Sequence, residues 1–210
     1  MRLVWIGLLA LVAACQGQGA ATGAQNPTLR VMSFNLRYKG GDRPPNDWAS
    51  RLPLAVEQIE VEHPDLIGTQ EGLHSQLVDL ERELEGYRWL GVGRNGGRRG
   101  EYMAIFYATD RFELLEHEHY WLSGTPEVVG SKSFGNGVVR MTTWARFIER
   151  ASGEEFVHVN THFDHQVEAS RVKSAALMVE RDVELGSARV IVTGDFNCRG
   201  GESTAWTTLV

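Results

Sequence analysis

Arg189 to Ser203 reads RVIVTGDFNCRGGES. The β-branched run Arg189 to Thr193 has the composition of a strand, yet it ends at Gly194, Asp195 and Asn197, groups that a packed core does not select. Three other strand-like stretches finish the same way. Leu29 to Phe34 alternates in polarity and stops at Asn35, Asp65 to Thr69 stops at Gln70 and Glu71, and Glu155 to Asn160 runs into His162. Singly, such ends are ordinary turn or solvated residues. Strand ends at one edge of a sheet converge in space. Together, Asn35, Glu71, Asn160, His162, Asp195 and Asn197 therefore predict one polar cleft built from distant parts of the chain.

Working outward, Asn46 or Asp47 is placed to cap a helix that carries Leu52, Val56 and Ile59 on one stripe and stops at Pro64. Leu73, Leu77, Leu80 and Leu84 recur at helical spacing, and Gly86 closes that segment. Strand-like stretches follow in succession: Tyr87 to Val92, Tyr102 to Tyr107, Phe112 to Leu122 and Val138 to Glu149. A third helix is predicted over Glu168 to Glu184. Strand and helix alternate at both ends, but the central strands lack crossover helices. The order predicts a mixed α/β sandwich rather than a doubly wound parallel sheet.

The 210 residues are 42% hydrophobic, enough for one core and too few for two domains. A net charge of -6 argues against holding nucleic acid by bulk electrostatics, so a phosphate-bearing ligand needs local help. Arg2 precedes an apolar stretch from Leu3 to Ala14 that is too short to span a bilayer and reads as a signal peptide, residues 1–14. Val12-Ala13-Ala14-Cys15 resembles a bacterial lipobox, which makes Cys15 a lipidation site and residues 15–28 the anchor and its tether. The folded domain is then residues 29–210, extracytoplasmic and either membrane-anchored through its N-terminal lipid or secreted. With Cys15 lipidated, Cys198 has no partner for an intrachain disulfide.

The polar set suits attack of water on a phosphate ester. Glu71, supported by Asn35, can hold a hard cation such as Mg²⁺, or Mn²⁺, through oxygen ligands. His162 can donate to phosphoryl oxygens, while Asp195 orients or deprotonates water and Asn197 steadies it. Arg37 and Arg171 are candidates to grip a substrate phosphate, and Asp164 and His165 to line its pocket. His117 and His119 lie on one face of a strand, but no third zinc ligand is near them in sequence.

Five segments carry a family resemblance: Met32-Ser-Phe-Asn-Leu-Arg-Tyr38, Asp65-Leu-Ile-Gly-Thr-Gln-Glu71, Gly100-Glu-Tyr-Met-Ala-Ile-Phe-Tyr107, Asn160-Thr-His-Phe-Asp-His165 and Thr193-Gly-Asp-Phe-Asn197. In order and spacing they resemble the motifs of the endonuclease/exonuclease/phosphatase family. The resemblance implies a DNase-I-like four-layer α/β sandwich, a divalent cation and hydrolysis of phosphodiesters or phosphomonoesters. It puts Asn35 and Glu71 at metal-site positions, His162 at the phosphate-contacting histidine, and Asp195 and Asn197 at the water-handling pair. Glu101 falls at the acid that orients this histidine, which would raise the imidazole pKa. The family also closes with a Ser-Asp-His motif that does not occur before Val210. The expectation is a C-terminally truncated domain with weak or no activity by itself.

Within the enzyme reading, a small phosphate ester, a nucleotide or a phospholipid head group fits the acidic balance better than nucleic acid. Arg94, Arg98 and Arg99 form the one obvious basic cluster, and it reads as a solvated loop. The rival reading is a non-catalytic surface binding protein built on the same sandwich.

Overall fold

The computed structural model describes residues 28–184, 186 and 189–210. The expected signal segment, Cys15 and the tether up to residue 27 lie outside the described residues. Among those described, no helix is long and apolar enough to cross a membrane.

The elements are β1 (Val31–Asn35), α1 (Trp48–Glu62), β2 (Leu66–Gln70), α2 (His74–Glu83), β3 (Tyr87–Leu90), β4 (Ile105–Ala108), β5 (Phe112–Trp121), β6 (Met141–Glu149), β7 (Glu155–His162), α3 (Glu168–Glu184), β8 (Arg189–Asp195) and α4 (Thr204–Leu209). They build two four-stranded sheets, ordered β1-β2-β4-β3 and β5-β6-β7-β8. β1 and β2 pair parallel, as do β7 and β8, and the remaining pairs are antiparallel. The hairpin-like middle of the chain, with no crossover helices, therefore contributes the antiparallel half of each sheet.

Side-chain periodicity explains the layering. α1 turns Trp48, Ala55 and Ile59 inward, and α2 turns Leu77 and Leu80, onto Ile67 and Phe106 of the first sheet. α3 lays Ala175 and Met178 on Val157 and Val159 of the second sheet. Between the sheets lie Leu66, Leu90, Ile105, Phe112, Ala145, Phe147 and Phe156. The rings of Phe112, Phe147 and Phe156 meet at centroid separations of 5.2 to 6.0 Å. Burial of each such ring contributes roughly 1.5–3 kcal/mol. The result is the expected four layers: helices, sheet, sheet, helices.

The helix ends follow local chemistry. Asp47 caps α1 by accepting from the Ser50 N–H at 3.1 Å. His63 ends that helix in the left-handed region at φ 45°, immediately before Pro64. Some boundaries differ from expectation. The strand expected from Tyr102 starts at Ile105, because Tyr102 makes only isolated bridges to Gly72 and Gly93. The carbonyl of Ala104 serves the Thr69 N–H and the Asn160 side chain instead. β7 and β8 run further than expected and carry His162 and Asp195 as register partners. α4 was not anticipated. Its Thr-rich segment has low helix propensity, and Ser203 starts it by accepting from the Trp206 N–H at 3.2 Å.

Candidate active site

Two parallel strand pairs, one in each sheet, end side by side. Ser33 Oγ of β1 accepts from the Gly194 N–H of β8 at 3.1 Å, which holds the two edges together. Beyond β2, Glu71 adopts φ 61°, a left-handed conformation that costs a non-glycine residue of order 1–3 kcal/mol. Arg37 and Asn197, at φ 51° and 48°, share that strain. Three of the four non-glycine residues with positive φ among those described thus flank one cleft.

In this cleft Glu71, His162 and Asp195 offer ligand atoms that all lie within 4.8 Å of one another. Asn35 Nδ2 donates to Glu71 Oε1 at 3.1 Å and to Asp195 Oδ2 at 3.0 Å, so one amide bridges two carboxylates from different sheets. The Asn35 oxygen accepts from the Arg37 N–H at 2.8 Å. Asn35 therefore meets both acids as a donor, and its oxygen, expected at a metal site, is engaged by the Arg37 N–H. The Tyr38 N–H adds 3.2 Å to Glu71 Oε2, and the Asn197 N–H adds 3.0 Å to Asp195 Oδ1. Asn197 Nδ2 is anchored to the Phe163 carbonyl at 3.1 Å, which leaves its side-chain oxygen for another partner. Two acids this close repel unless a cation or proton lies between them, and their oxygen-rich set suits a hard divalent cation.

His162 is buried, with Nε2 3.7 Å from Asp195 Oδ2 and no hydrogen-bond partner for Nδ1 among the described residues. Burial, then the Arg140 guanidinium, push its pKa down to about 4 against the pull of Asp195 and Glu71. This corrects the expectation that Glu101 raises it. Glu101 instead pairs with Arg94 at 2.7 Å, both side chains being largely buried. Burial raises the Glu101 pKa, and Arg94 opposes that rise.

The cation of the site is Arg140, which the sequence reading missed. It is 4% exposed, and its Nη2 donates to His165 Nδ1 at 3.1 Å. Nε and Nη1 have no partner among the described residues. A guanidinium cannot accept, so Nδ1 of the exposed His165 is the acceptor in this contact. Burial and then Arg94 lower the Arg140 pKa, against Glu101, Asp164 and Asp195. The signal available in sequence was a single charge inside the run Val138-Val139-Arg140-Met141.

Other candidates divide. Asp164 is fully buried and caps the approach to α3, with Oδ1 accepting from the Gln166 and Val167 N–H groups at 2.9 and 2.7 Å. Burial would raise its pKa, but those two bonds, together with the nearby Arg140 and His165, outweigh it and hold the carboxyl below the usual range. Arg171 is not free for substrate: it binds the Asp164 carbonyl at 2.8 Å and Glu168 at 2.6 Å. Arg37 pairs with Asp42 at 2.8 Å, at the exposed rim. Asn160 is fully buried with both amide atoms engaged, so it lies beneath the cleft rather than in it and is not placed to touch substrate. Among the described residues, the one group of three or more acids, histidines or cysteines placed to share a cation is Glu71, His162 and Asp195, which leaves His117 and His119 without a third ligand.

Comparisons with known proteins agree with the fold. The sequence model of the endonuclease/exonuclease/phosphatase family matches residues 32–209. An endonuclease/exonuclease/phosphatase from Bacteroides vulgatus is similar in structure, with a TM-score of 0.82 and 38% identity over 86% of this chain and 69% of that one. A mannosyl-6-phosphatase of Bacteroides thetaiotaomicron gives a TM-score of 0.82 and 37% identity over 87% and 70%. An uncharacterized protein of Acanthamoeba polyphaga mimivirus is 31% identical over 159 residues, 71% of this chain, and the match spans 59% of its own length. A match along nearly the whole described chain, with the cleft residues at strand ends of the same fold, leads to one conclusion: the chain belongs to the endonuclease/exonuclease/phosphatase family.

Proposed function

We propose that this protein hydrolyses a small phosphate ester with the help of a divalent cation, Mg²⁺ or Mn²⁺, and that a sugar phosphate is the leading candidate. The observation that carries the reading is the pair Glu71 and Asp195, contributed by different sheets and bridged by one Asn35 amide beside a buried histidine. Glu71 and Asp195, with His162 beside them, would hold the cation, which when bound offsets phosphate charge as a Lewis acid. The similarity to a mannosyl-6-phosphatase and the acidic net charge both favour a small ester over a polynucleotide.

The chain's own groups divide the remaining work. Arg140 has two donors, Nε and Nη1, without a partner among the described residues, and these are the donors it would offer to a phosphoryl group. A guanidinium already stripped of water loses little more solvation when the phosphate arrives. With positive charge supplied by Arg140, His162 stays neutral and donates its N–H to a phosphoryl oxygen. Asp195 accepts from the attacking water, and the free Asn197 oxygen helps to orient it.

We place this activity outside the cytoplasm, on the reading of residues 1–15 as an export signal with a lipidated cysteine. The test is hydrolysis of mannose 6-phosphate, a nucleoside monophosphate and a generic phosphodiester by the full-length protein, with Mg²⁺ and with chelator. Faster Mg²⁺-dependent release from the sugar phosphate supports the proposal. Preference for the diester moves the substrate class, and binding without turnover of any ester favours a non-catalytic binding protein.

A further inference from the structure

Asn160 lies near the end of β7, is fully buried and uses its whole amide. Its Nδ2 donates to the carbonyls of Thr69 and Ala104 at 2.8 and 2.9 Å, both from the opposite sheet or its approach. Its Oδ1 accepts from Gln70 Nε2 at 2.8 Å and from Thr193 Oγ1 at 3.1 Å. Thr193 Oγ1 lies 2.9 Å from Nε2 of the buried His158; with the threonine proton given to Asn160, the imidazole is the donor there. Gln70 Nε2 also approaches Ser33 Oγ at 3.3 Å, and that hydroxyl ties β1 to Gly194.

Each partner stands within a few residues of a site group. Gln70 precedes Glu71, Thr193 stands two before Asp195, Ser33 two before Asn35, and Asn160 itself two before His162. The sheets meet at bare backbone here. A Cβ on Gly68 would lie 1.9 Å from Thr193 Oγ1 and 2.6 Å from Asn160 Oδ1, so the amide fills the gap that a glycine leaves open.

We propose that Asn160 is a positioning residue, an inter-sheet clamp that fixes how closely Glu71 of one sheet approaches His162 and Asp195 of the other. The inference rests on the reading of those three residues as the cation site. A clamp differs from ordinary core packing in one measurable way: loosening it moves the ligand atoms apart in protein that is still folded. Cation affinity falls with ligand misplacement, whereas packing alone lowers only the unfolding midpoint.

The experiment is Mn²⁺ titration of the full-length protein by calorimetry, for wild type, Asn160→Leu, Thr193→Val, Thr193→Ser and Asp47→Ala. Thr193→Val removes one hydroxyl from the network with little change in volume, so it carries the test if Asn160→Leu does not fold. Asp47→Ala destabilises the remote α1 cap and serves as the control. The expected result is a Kd raised about 10- to 100-fold in Thr193→Val and in folded Asn160→Leu, as for groups that orient metal ligands. Thr193→Ser restores wild-type affinity, and Asp47→Ala leaves it unchanged. Wild-type affinity in folded Thr193→Val or Asn160→Leu overturns the clamp alone. Absence of Mn²⁺ binding by the wild type overturns the cation reading and the clamp with it.

Discussion

Arg140→Met removes a buried charge while keeping much of the side chain's volume. In the folded protein this guanidinium is 4% exposed, bonds His165, and has a pKa lowered chiefly by burial despite three acids nearby. The fold therefore disfavours the cation that the proposed chemistry needs. Replacing a buried ion pair by apolar groups of similar volume is neutral or stabilising by about 1–4 kcal/mol. Arg140 bonds a histidine rather than a carboxylate, so its loss strands no paired acid, and the lower half of that range applies because Glu101, Asp164 and Asp195 still lose a nearby cation. At roughly 2–4 °C per kcal/mol for a chain of this size, the expected Tm in chelator and phosphate-free buffer is unchanged or raised by up to about 8 °C. Under the proposed function catalysis moves the other way: loss of the charge proposed to meet the phosphoryl group is expected to lower kcat/KM by about 10²–10³. Added phosphate with Mg²⁺ raises the wild-type Tm more than that of the variant. Differential scanning calorimetry and steady-state kinetics on the same preparations provide the assay. A ligand-free Tm lowered by more than a few degrees, or an unaltered kcat/KM, refutes the reasoning.

Three further outcomes are expected. His158 is fully buried, with its pKa pushed down to about 3 by burial, so between pH ~6.5 and that value the unfolded chain holds a proton that the folded one refuses. Stability from this group is intact above pH ~6.5 and is lost as pH falls, at about 1.4 kcal/mol per unit; urea unfolding at several pH values should show a slope one proton shallower in His158→Gln. Gly68→Ala drives a methyl group into Thr193 and Asn160 and should cost about 1–3 kcal/mol by urea denaturation, whereas Gly137→Ala, where an added Cβ meets only Gln166 Oε1 at 3.8 Å, lacks such a clash. Asp47→Ala removes the α1 cap and should cost about 1 kcal/mol in the same assay, with ester hydrolysis unchanged.

What the sequence made legible follows from where its information lies. A strand that ends in Asn35, Glu71, His162 or Asp195 announces a polar edge, because alternation and turn chemistry are local. The convergence of those ends followed from the sheet architecture the same pattern predicted. Pairing between side chains is not local. Glu101 was expected to reach His162, but the tight turns around Gly93 to Arg99 fold Arg94 back onto it at 2.7 Å. The role of Arg140, which directly precedes β6, depends on its burial and on Nε and Nη1 having no partner among the described residues, and a lone charge in an apolar run gives neither. The same limit hid the role of Asn160, whose partners come from β2, β8 and the approach to β4. The left-handed backbones of Arg37, Glu71 and Asn197 had no glycine to mark them.

The most direct test of the cation-centred account is Mg²⁺-dependent hydrolysis of mannose 6-phosphate by full-length wild type and by Glu71→Gln, with unfolding midpoints measured in parallel. The account predicts turnover by the wild type that chelator abolishes. It also predicts loss of nearly all of that turnover in Glu71→Gln, at a Tm within a few degrees of wild type in chelator. Undiminished hydrolysis by a folded Glu71→Gln, or hydrolysis by the wild type indifferent to chelator, would contradict it.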